Sequence, residues 1–427
     1  MAPIETSLTA KYQRLRGGLP SPAALPGPEV LAALWAEQLC APRLRLADGR
    51  TVEVLQPGLP ERPGALRFVE AALRFDGGEP RTGPVTVGIP EEGALLSLAW
   101  KGGSGATAAL ETQLLVPWEE AEEALELPAL PPVPRLREEP PPSAVPVARR
   151  LELARAAGLY RLERRARRLA LREKAAGRTQ LLWEEAAGAL GYHANQAPFR
   201  HLARRLPAAF LRAVPEGEQE VEALLFGVAG FLPGEKLGGL SPAARALART
   251  LWDRWWKARA ALDHAVLPAS AWTVARVRPA NRPERRLAAL ARLLPHLDRL
   301  ERAVSRRDAA AFARVLAELH DPFWSRHATW KSRPAAKPSS LVGPERIDAL
   351  LGNLFWPLVA RDDPAAARTA LERLGAGGSR AEREGWERLF GSDLPPRSGS
   401  ALVRQGILQL RRDAPDAASL SRLAGGW

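Results

Sequence analysis

The sequence predicts an α+β protein in which a small β-rich N-terminal domain is joined by a proline-rich linker to a larger, basic, all-helical domain. Three observations carry this. The chain has 427 residues, more than the roughly 250–300 at which a single hydrophobic core usually stops growing. Residues 127–148, LPALPPVPRLREEPPPSAVPVA, contain eight prolines, each of which fixes φ and removes an amide donor, so the segment reads as a semi-rigid linker. The hydrophobic pattern also changes across it, from period two before to helical spacing after. The predicted division is therefore 1–126, 127–148 and 149–427.

In the first part, PEVLAALWAEQL (28–39) has helical spacing. RLRLADGRTVEVL (43–55) places Asp48-Gly49 between two alternating runs, a strong local hairpin signal. GALRFVEAALRF and GPVTVGI supply further strands, and ALLSLAW and AALETQLLV flank the turn KGGSG as a second hairpin. WEEAEEALEL (118–127) reads as an acidic, solvated helix face. Beyond the linker, proline and glycine punctuation delimits helices near 148–176, 179–190, 197–212, 217–232, 241–265, 283–304, 308–319, 344–360, 364–374, 379–390 and 399–412. No fixed-period repeat occurs, which argues against a solenoid.

Composition narrows the function. A 46% hydrophobic and 26% charged content is that of a folded chain. No apolar run reaches the roughly 20 residues of a membrane span and the N-terminus lacks an apolar signal core, so a cytoplasmic protein with no membrane partner is expected. Cys40 is the single cysteine, which excludes an internal disulfide and cysteine-based metal sites and reads as a free, buried thiol. Arg-rich basicity with abundant Ala, Leu, Gly and Pro points to a GC-rich bacterial genome. Charge is unevenly distributed: residues 1–150 carry 15 Lys+Arg against 19 Asp+Glu, and residues 151–427 carry 46 against 29, a net of +17. A polyanion is the first partner to consider.

Motifs for chemistry are weak. Gly103, Gly105 and Ala108 fit a relaxed G-x-G-x-x-A fingerprint, but a strand-like run follows where a dinucleotide fold needs a helix, so a hairpin turn is expected. There is no G-x-x-x-x-G-K-[ST] loop, H-E-x-x-H pair or G-x-S-x-G elbow. HDPFWSRH, with His320, Asp321 and His327, comes nearest to a cluster and reads as a surface loop. No catalytic residue, metal or cofactor is expected. More informative is the stretch 155–178, with nine Lys+Arg against Glu163 and Glu173. Its apolar stripe implies that Arg161, Arg164, Arg165, Arg168 and Arg172 fan over the remaining helix face. The following helix pair resembles a helix-turn-helix with small Ala187 and a turn at Gly191, its second helix offering Gln196, Arg200, Arg204 and Arg205. LWDRWWKAR (251–259) concentrates Trp252, Trp255 and Trp256. Spacing makes them mainly core, with an edge available for base stacking beside Arg254 and Lys257.

LWEEAAGALGYHANQAPFRHLARRLP, VEALLFGVAGFL, VRPANRPERRLAALARLL, GNLFWPLVA and ALVRQGILQL, in that order, resemble the bacterial domain of unknown function 2851 family over nearly the full chain. The resemblance implies a fold and no activity. The family's N-terminal pattern, a Gly-Pro-Asp-Phe segment and a Val-Glu-Ile-His strand, would resemble a restriction-endonuclease-like Mg²⁺ site. Here those stretches read Pro63-Gly64-Ala65-Leu66-Arg67-Phe68 and Val85-Thr86-Val87-Gly88, without the acids or the histidine, so any such sheet is degenerate. In the shared segments, Gly227 and Gly230 suit close helix approach, and Asn281 suits a cap before Pro283. The leading expectation is a non-enzymatic nucleic-acid-binding protein whose DNA or RNA contacts are Arg161, Arg164, Arg165, Arg168, Arg172, Arg200, Arg204 and Arg205. The alternatives are a nuclease-like protein with a degenerate site and a protein-interaction scaffold.

Overall fold

The computed structural model describes residues 145–427 except 216, 235–236, 276, 376–379, 396–398 and 415–416. In the N-terminal part it describes residues 9, 11–12, 32, 35–36, 43–46, 51–61, 65–88, 95–101 and 107–113. Cys40, Asp48-Gly49, the acidic stretch 118–127 and most of the proline-rich segment lie outside the described residues.

Among the described residues seven strands form one antiparallel sheet: β1 (Arg43–Leu46), β2 (Thr51–Gln56), β3 (Leu59–Pro60), β4 (Arg67–Phe75), β5 (Pro80–Gly88), β6 (Leu95–Lys101) and β7 (Thr107–Gln113). β1 pairs with both β2 and β7, and β2 also pairs with β4, so six strands close into a ring with β3 added along β4. Closure leaves fewer open edges to be protected. β2 and β3 run along the same strand, bent at Gly58, whose φ is 79° and where a Cβ would lie 2.4 Å from the Val69 carbonyl oxygen. The pairing Arg45↔Thr51 brackets Asp48-Gly49 as the sequence predicts. β6 and β7 pair antiparallel up to Lys101↔Thr107, so the run after the glycine stretch is a strand and not the helix a dinucleotide fold needs; residues 102–106 lie outside the described residues. A further hairpin signal lies at Asp76-Gly77, with φ of 47° and 73°, the positive pair that a type I′ turn requires. Asp76 also fixes β2, its carboxylate accepting from the Thr51 amide at 2.8 Å. Trp35, helical as predicted, is fully buried edge-on to Phe68 and donates to the Pro57 carbonyl at 2.8 Å.

The helical part begins with α1 (Val147–Ala176), 30 residues long, followed by α2 (Arg178–Leu190), α3 (Tyr192–Arg205), α4 (Ala208–Arg212), α5 (Glu218–Val228) and α6 (Pro242–Leu262). After several 3₁₀ turns come α7 (Pro283–Leu293), α8 (Leu297–Ser305) and α9 (Ala309–Ala317). α10 (Pro344–Leu350) continues through a π turn, Leu351–Phe355, into α11 (Trp356–Ala360). α12 (Pro364–Arg373), α13 (Arg380–Phe390), α14 (Ala401–Asp413) and α15 (Ala417–Gly426) complete the chain. Most match the predicted spans, but the predicted helix 197–212 starts earlier, at Tyr192, and is broken at Pro207, the predicted 283–304 is broken by a 3₁₀ turn at Leu294–His296, and α15 is an addition. No helix among the described residues is long and apolar enough to cross a membrane.

α1 connects two apolar cores. Its C-terminal half, with Leu159, Leu162 and Leu169, enters a large cluster with α2 to α12. Its N-terminal half, with Leu153, Ala157 and Tyr160, joins Trp386, Phe390, Ile407 and Leu423 from α13 to α15. Tyr12, far away in sequence, is fully buried in this second core, its ring 5.5 Å from Tyr160 and its hydroxyl donating to Asp413 at 2.8 Å. α14 crosses α1 at glycine on both sides. A Cβ at Gly406 would sit 1.7 Å from the Ala154 carbonyl oxygen, and one at Gly158 would sit 2.2 Å from that of Leu402.

This contact between backbones has no slack, so Gly406→Ala is expected to destabilise the protein by about 1–3 kcal/mol or more through overpacking. Chemical denaturation would measure it; a change within about 0.5 kcal/mol of zero, the range of an ordinary surface substitution, would show that the helices separate freely.

Candidate nucleic-acid interface and the buried arginine networks

The arginines predicted to form an open face turn inward. Glu184 and Glu185 of α2 are both buried, and four guanidiniums from the flanking helices meet them. Arg168 of α1 pairs with Glu185 at 3.1 Å, and Arg172 pairs with Glu184 and approaches Glu185 at 3.6 Å. From α3, Arg200 reaches Glu185 and Arg204 reaches Glu184, each at 2.9 Å. Arg204 also donates to the Ala36 carbonyl, which ties the N-terminal part to the helices. Burial pushes the Glu184 carboxyl up, but Arg172 and Arg204 together outweigh this and hold it below the usual carboxylate range. A carboxyl lowered in this way contributes stability above the usual range, and the contribution is lost as pH falls through its folded value.

The other four predicted contacts are also engaged. Arg205 donates to the Ala265 and Val266 carbonyls at 2.9 and 3.0 Å. Arg161 bonds Gln405 at 2.9 Å, and Arg164 lies over the Tyr160 ring. Arg165 donates to the Asn353 carbonyl at 3.3 Å. That carbonyl lies four residues before Pro357, which has no N–H to give it, so the arginine supplies the donor that the helix lacks. Arg161, Arg164, Arg165, Arg168, Arg172, Arg200, Arg204 and Arg205 therefore do not form one continuous exposed surface. Sequence reasoning missed this because their counter-charges and acceptors lie on other elements.

The helix pair α2–α3 also departs from a groove-reading motif, since Arg200 and Arg204 face α2. Gly191 is in the ordinary helical region at φ −67°, and the left-handed residue is Tyr192 at φ 54°. Gly191 is needed for space, because a Cβ there would lie 2.2 Å from the Asn195 carbonyl oxygen. Gly227 allows close approach as predicted, facing the Trp255 ring at 2.2 Å from an added Cβ, whereas Gly230, at φ 73°, serves as a left-handed helix end. Asn281 does not cap α7; its side-chain oxygen accepts from Arg286 at 2.8 Å.

HDPFWSRH is not a surface loop. Asp321, Trp324 and His327 are buried, and only His320 of the three predicted polar residues is exposed. One oxygen of Asp321 accepts from the amides of Phe323 and Trp324 at 2.8 and 2.6 Å, and the other receives Arg292 at 2.7 Å. His327 stacks on Phe323, centroids 3.9 Å apart. Arg292 also holds Glu222 at 2.9 Å, and Trp324 donates to Glu222 at 2.7 Å. Burial, followed by repulsion from Asp321, pushes the Glu222 carboxyl up to about 7. Among the described residues no group of three or more His, Cys, Asp or Glu could hold a metal ion. In the sheet, Arg67 and Thr86 are paired neighbours, both exposed, and Arg67 bridges to Glu61 at 2.7 Å.

Among the described residues, α6 carries an exposed cationic face that includes an aromatic ring. Trp255 is buried, Trp252 is half-buried and donates to the Pro233 carbonyl, and Trp256 is 64% exposed. The Arg259 guanidinium lies 5.1 Å from the Trp256 ring centroid, within cation–π range. Arg249 and Lys257 are exposed on the same helix. Asp253 and Asp263 moderate the face, the latter 3.6 Å from Arg259. Arg254, singled out in the sequence, is half-buried and bonds Gln219 at 3.2 Å.

The architecture is that of an α+β protein with a closed antiparallel sheet and a larger arginine-braced helical region. The chain belongs to the family described as "Protein of unknown function (DUF2851)", which matches residues 143–373. The match covers α1 to α12 and not the near-full length expected, since the sheet and α13 to α15 fall outside it. No curated protein and no solved structure matches the chain.

The Glu222 carboxyl gives a pH dependence with a definite sign. Its folded value is about 7 against an ordinary 4.5, so folding takes up a proton in that window and stability falls as pH rises through it, by on the order of 3 kcal/mol in total. Glu222→Gln is expected to flatten that slope in denaturant unfolding measured from acid to neutral pH. An unchanged slope would assign the dependence elsewhere.

Proposed function

We propose that the protein is a non-enzymatic nucleic-acid-binding protein whose main contact is the outer face of α6. The observation that carries this reading is the 64% exposed indole of Trp256, covered by Arg259 and flanked by Arg249 and Lys257. An aromatic face among cations is what single-stranded nucleic acid uses: bases stack while basic groups follow the phosphates. The net +17 of residues 151–427 supports the same partner. Of the eight arginines on α1 and α3, Arg168 and Arg172 are buried and the other six are half-buried and engaged with protein partners, so they are peripheral to this reading. The nuclease-like alternative gains no support from Arg67 and Thr86, which offer no ligands for a divalent cation.

Fluorescence anisotropy with labelled single-stranded and duplex DNA and RNA tests the proposal. Single strands are expected to bind more tightly than duplexes, with affinity falling steeply between about 50 and 200 mM salt. Trp256→Ala should weaken single-strand binding by about 1–3 kcal/mol, or roughly 5- to 150-fold. Absence of binding at low salt, or equal binding by wild type and variant, would overturn it.

A further inference from the structure

A second cationic cluster lies where α3 begins, against α7 and α10, and differs from the networks above in having no carboxylate. Arg286 of α7 is 3% exposed. It donates to the Leu341 carbonyl, to Asn281 Oδ1 at 2.8 Å and to the Tyr192 hydroxyl oxygen at 3.1 Å. Burial above all, with repulsion from Arg346 and Arg285, lowers it to about 10, so it stays charged at neutral pH. Arg346 of α10 lays its guanidinium on the Tyr192 ring, 3.4 Å from the centroid, while that of Arg286 lies 5.1 Å from the same centroid. Among the described residues, neither arginine has a carboxylate within ion-pair distance.

The hydrogen bonds around this cluster are one-sided. Tyr192 and Asn281 both spend acceptors on Arg286, which fixes the Asn281 amide with its NH₂ directed away from that guanidinium. The Tyr192 hydroxyl proton, the Asn281 NH₂ and the Arg346 guanidinium then have no acceptor among the described residues. All three residues are half-buried, at the edge of solvent. Tyr192 is also held at φ 54°, a conformation that costs a side-chain-bearing residue about 1–3 kcal/mol and tends to occur at functional sites.

We infer that Arg346, Tyr192 and Asn281 form a binding site for a phosphate group, with Arg286 as a fixed charge beneath it. A set of donors with no acceptor facing outward selects an anion. Two unmatched guanidiniums favour a dianion such as orthophosphate or a phosphomonoester over a singly charged carboxylate, and planar guanidinium N–H groups match phosphate oxygens. The site is independent of the α6 face, and its ligand can be a free phosphate or the terminal phosphate of a larger molecule.

Isothermal titration of the full chain with sodium phosphate, against sodium chloride at equal ionic strength, tests the inference. Saturable phosphate binding is expected, accompanied by a rise in melting temperature. Arg346→Ala and Tyr192→Phe should each weaken it, the former at least tenfold, while Trp256→Ala leaves it unchanged. Arg346→Lys keeps the charge but loses the planar fork, so binding intermediate between wild type and Arg346→Ala is expected. A 5′-phosphorylated oligonucleotide and its dephosphorylated twin separate the two sources: a preference for the former that Arg346→Ala abolishes identifies a terminal phosphate on a larger ligand, and no preference leaves free phosphate. Phosphate binding no stronger than chloride, or binding unaffected in a folded Arg346→Ala variant, would overturn the site whatever the result at Trp256.

Discussion

Two adjacent carboxylates, Glu184 and Glu185, fix how the first three helices meet. They are enclosed among Arg168, Arg172, Arg200 and Arg204, and a buried charge is tolerable only where its partners are already in place. α1 must therefore present residues 168 and 172 to α2, and α3 must present 200 and 204 from the other side. Gln180 extends the arrangement, donating to Glu184 and to the Ala203 carbonyl while accepting from the Ala208 amide. Tertiary geometry here is set by charge as well as by the apolar stripe.

The same use of guanidinium recurs throughout the helical region, and it changes what the chain's basicity means. Arg165 replaces a helical donor lost at Pro357, and Arg205 satisfies two carbonyls after α6. Arg285 gathers the carbonyls of Trp324, Ser339 and Ser340, holding a segment that has little regular structure of its own. A planar group with five donors suits this work better than an ammonium does. Much of the excess positive charge is thus internal bracing. The groups left for a polyanion are those that face solvent, as on α6, or that lack acceptors, as around Arg346.

Most of the fold was legible because its signals are local. Proline and glycine mark the helix ends, alternation marks the strands, and the pairings β1–β2 and β6–β7 follow from the turns between them. The site was less legible because its determinants are not local. Nothing near Arg172 in sequence announces that Glu184 will neutralise it, since the two meet only when α1 and α2 fold back on each other. Likewise, Asp321 looks exposed beside a proline until its acceptors are seen to be filled by two amides and Arg292. Gly191 has the sequence character of a turn residue, yet the positive φ falls on Tyr192. The tryptophans of α6 were separable in principle: period 3.6 puts Trp252 and Trp255 toward the core and leaves Trp256 at the margin.

The molecule is an arginine-braced bundle that keeps an aromatic, cationic helix face outside and is tied to the N-terminal part through contacts such as Arg204 to Ala36. Glu184 anchors that bundle as a buried counter-charge. Denaturant unfolding of Glu184→Gln against wild type at neutral pH tests this most directly. The expected result is a loss of about 3–5 kcal/mol, as for other buried pairs deprived of one partner, and a weaker decline toward acid pH. Stability within about 0.5 kcal/mol of wild type, the scatter of a surface substitution, would contradict it.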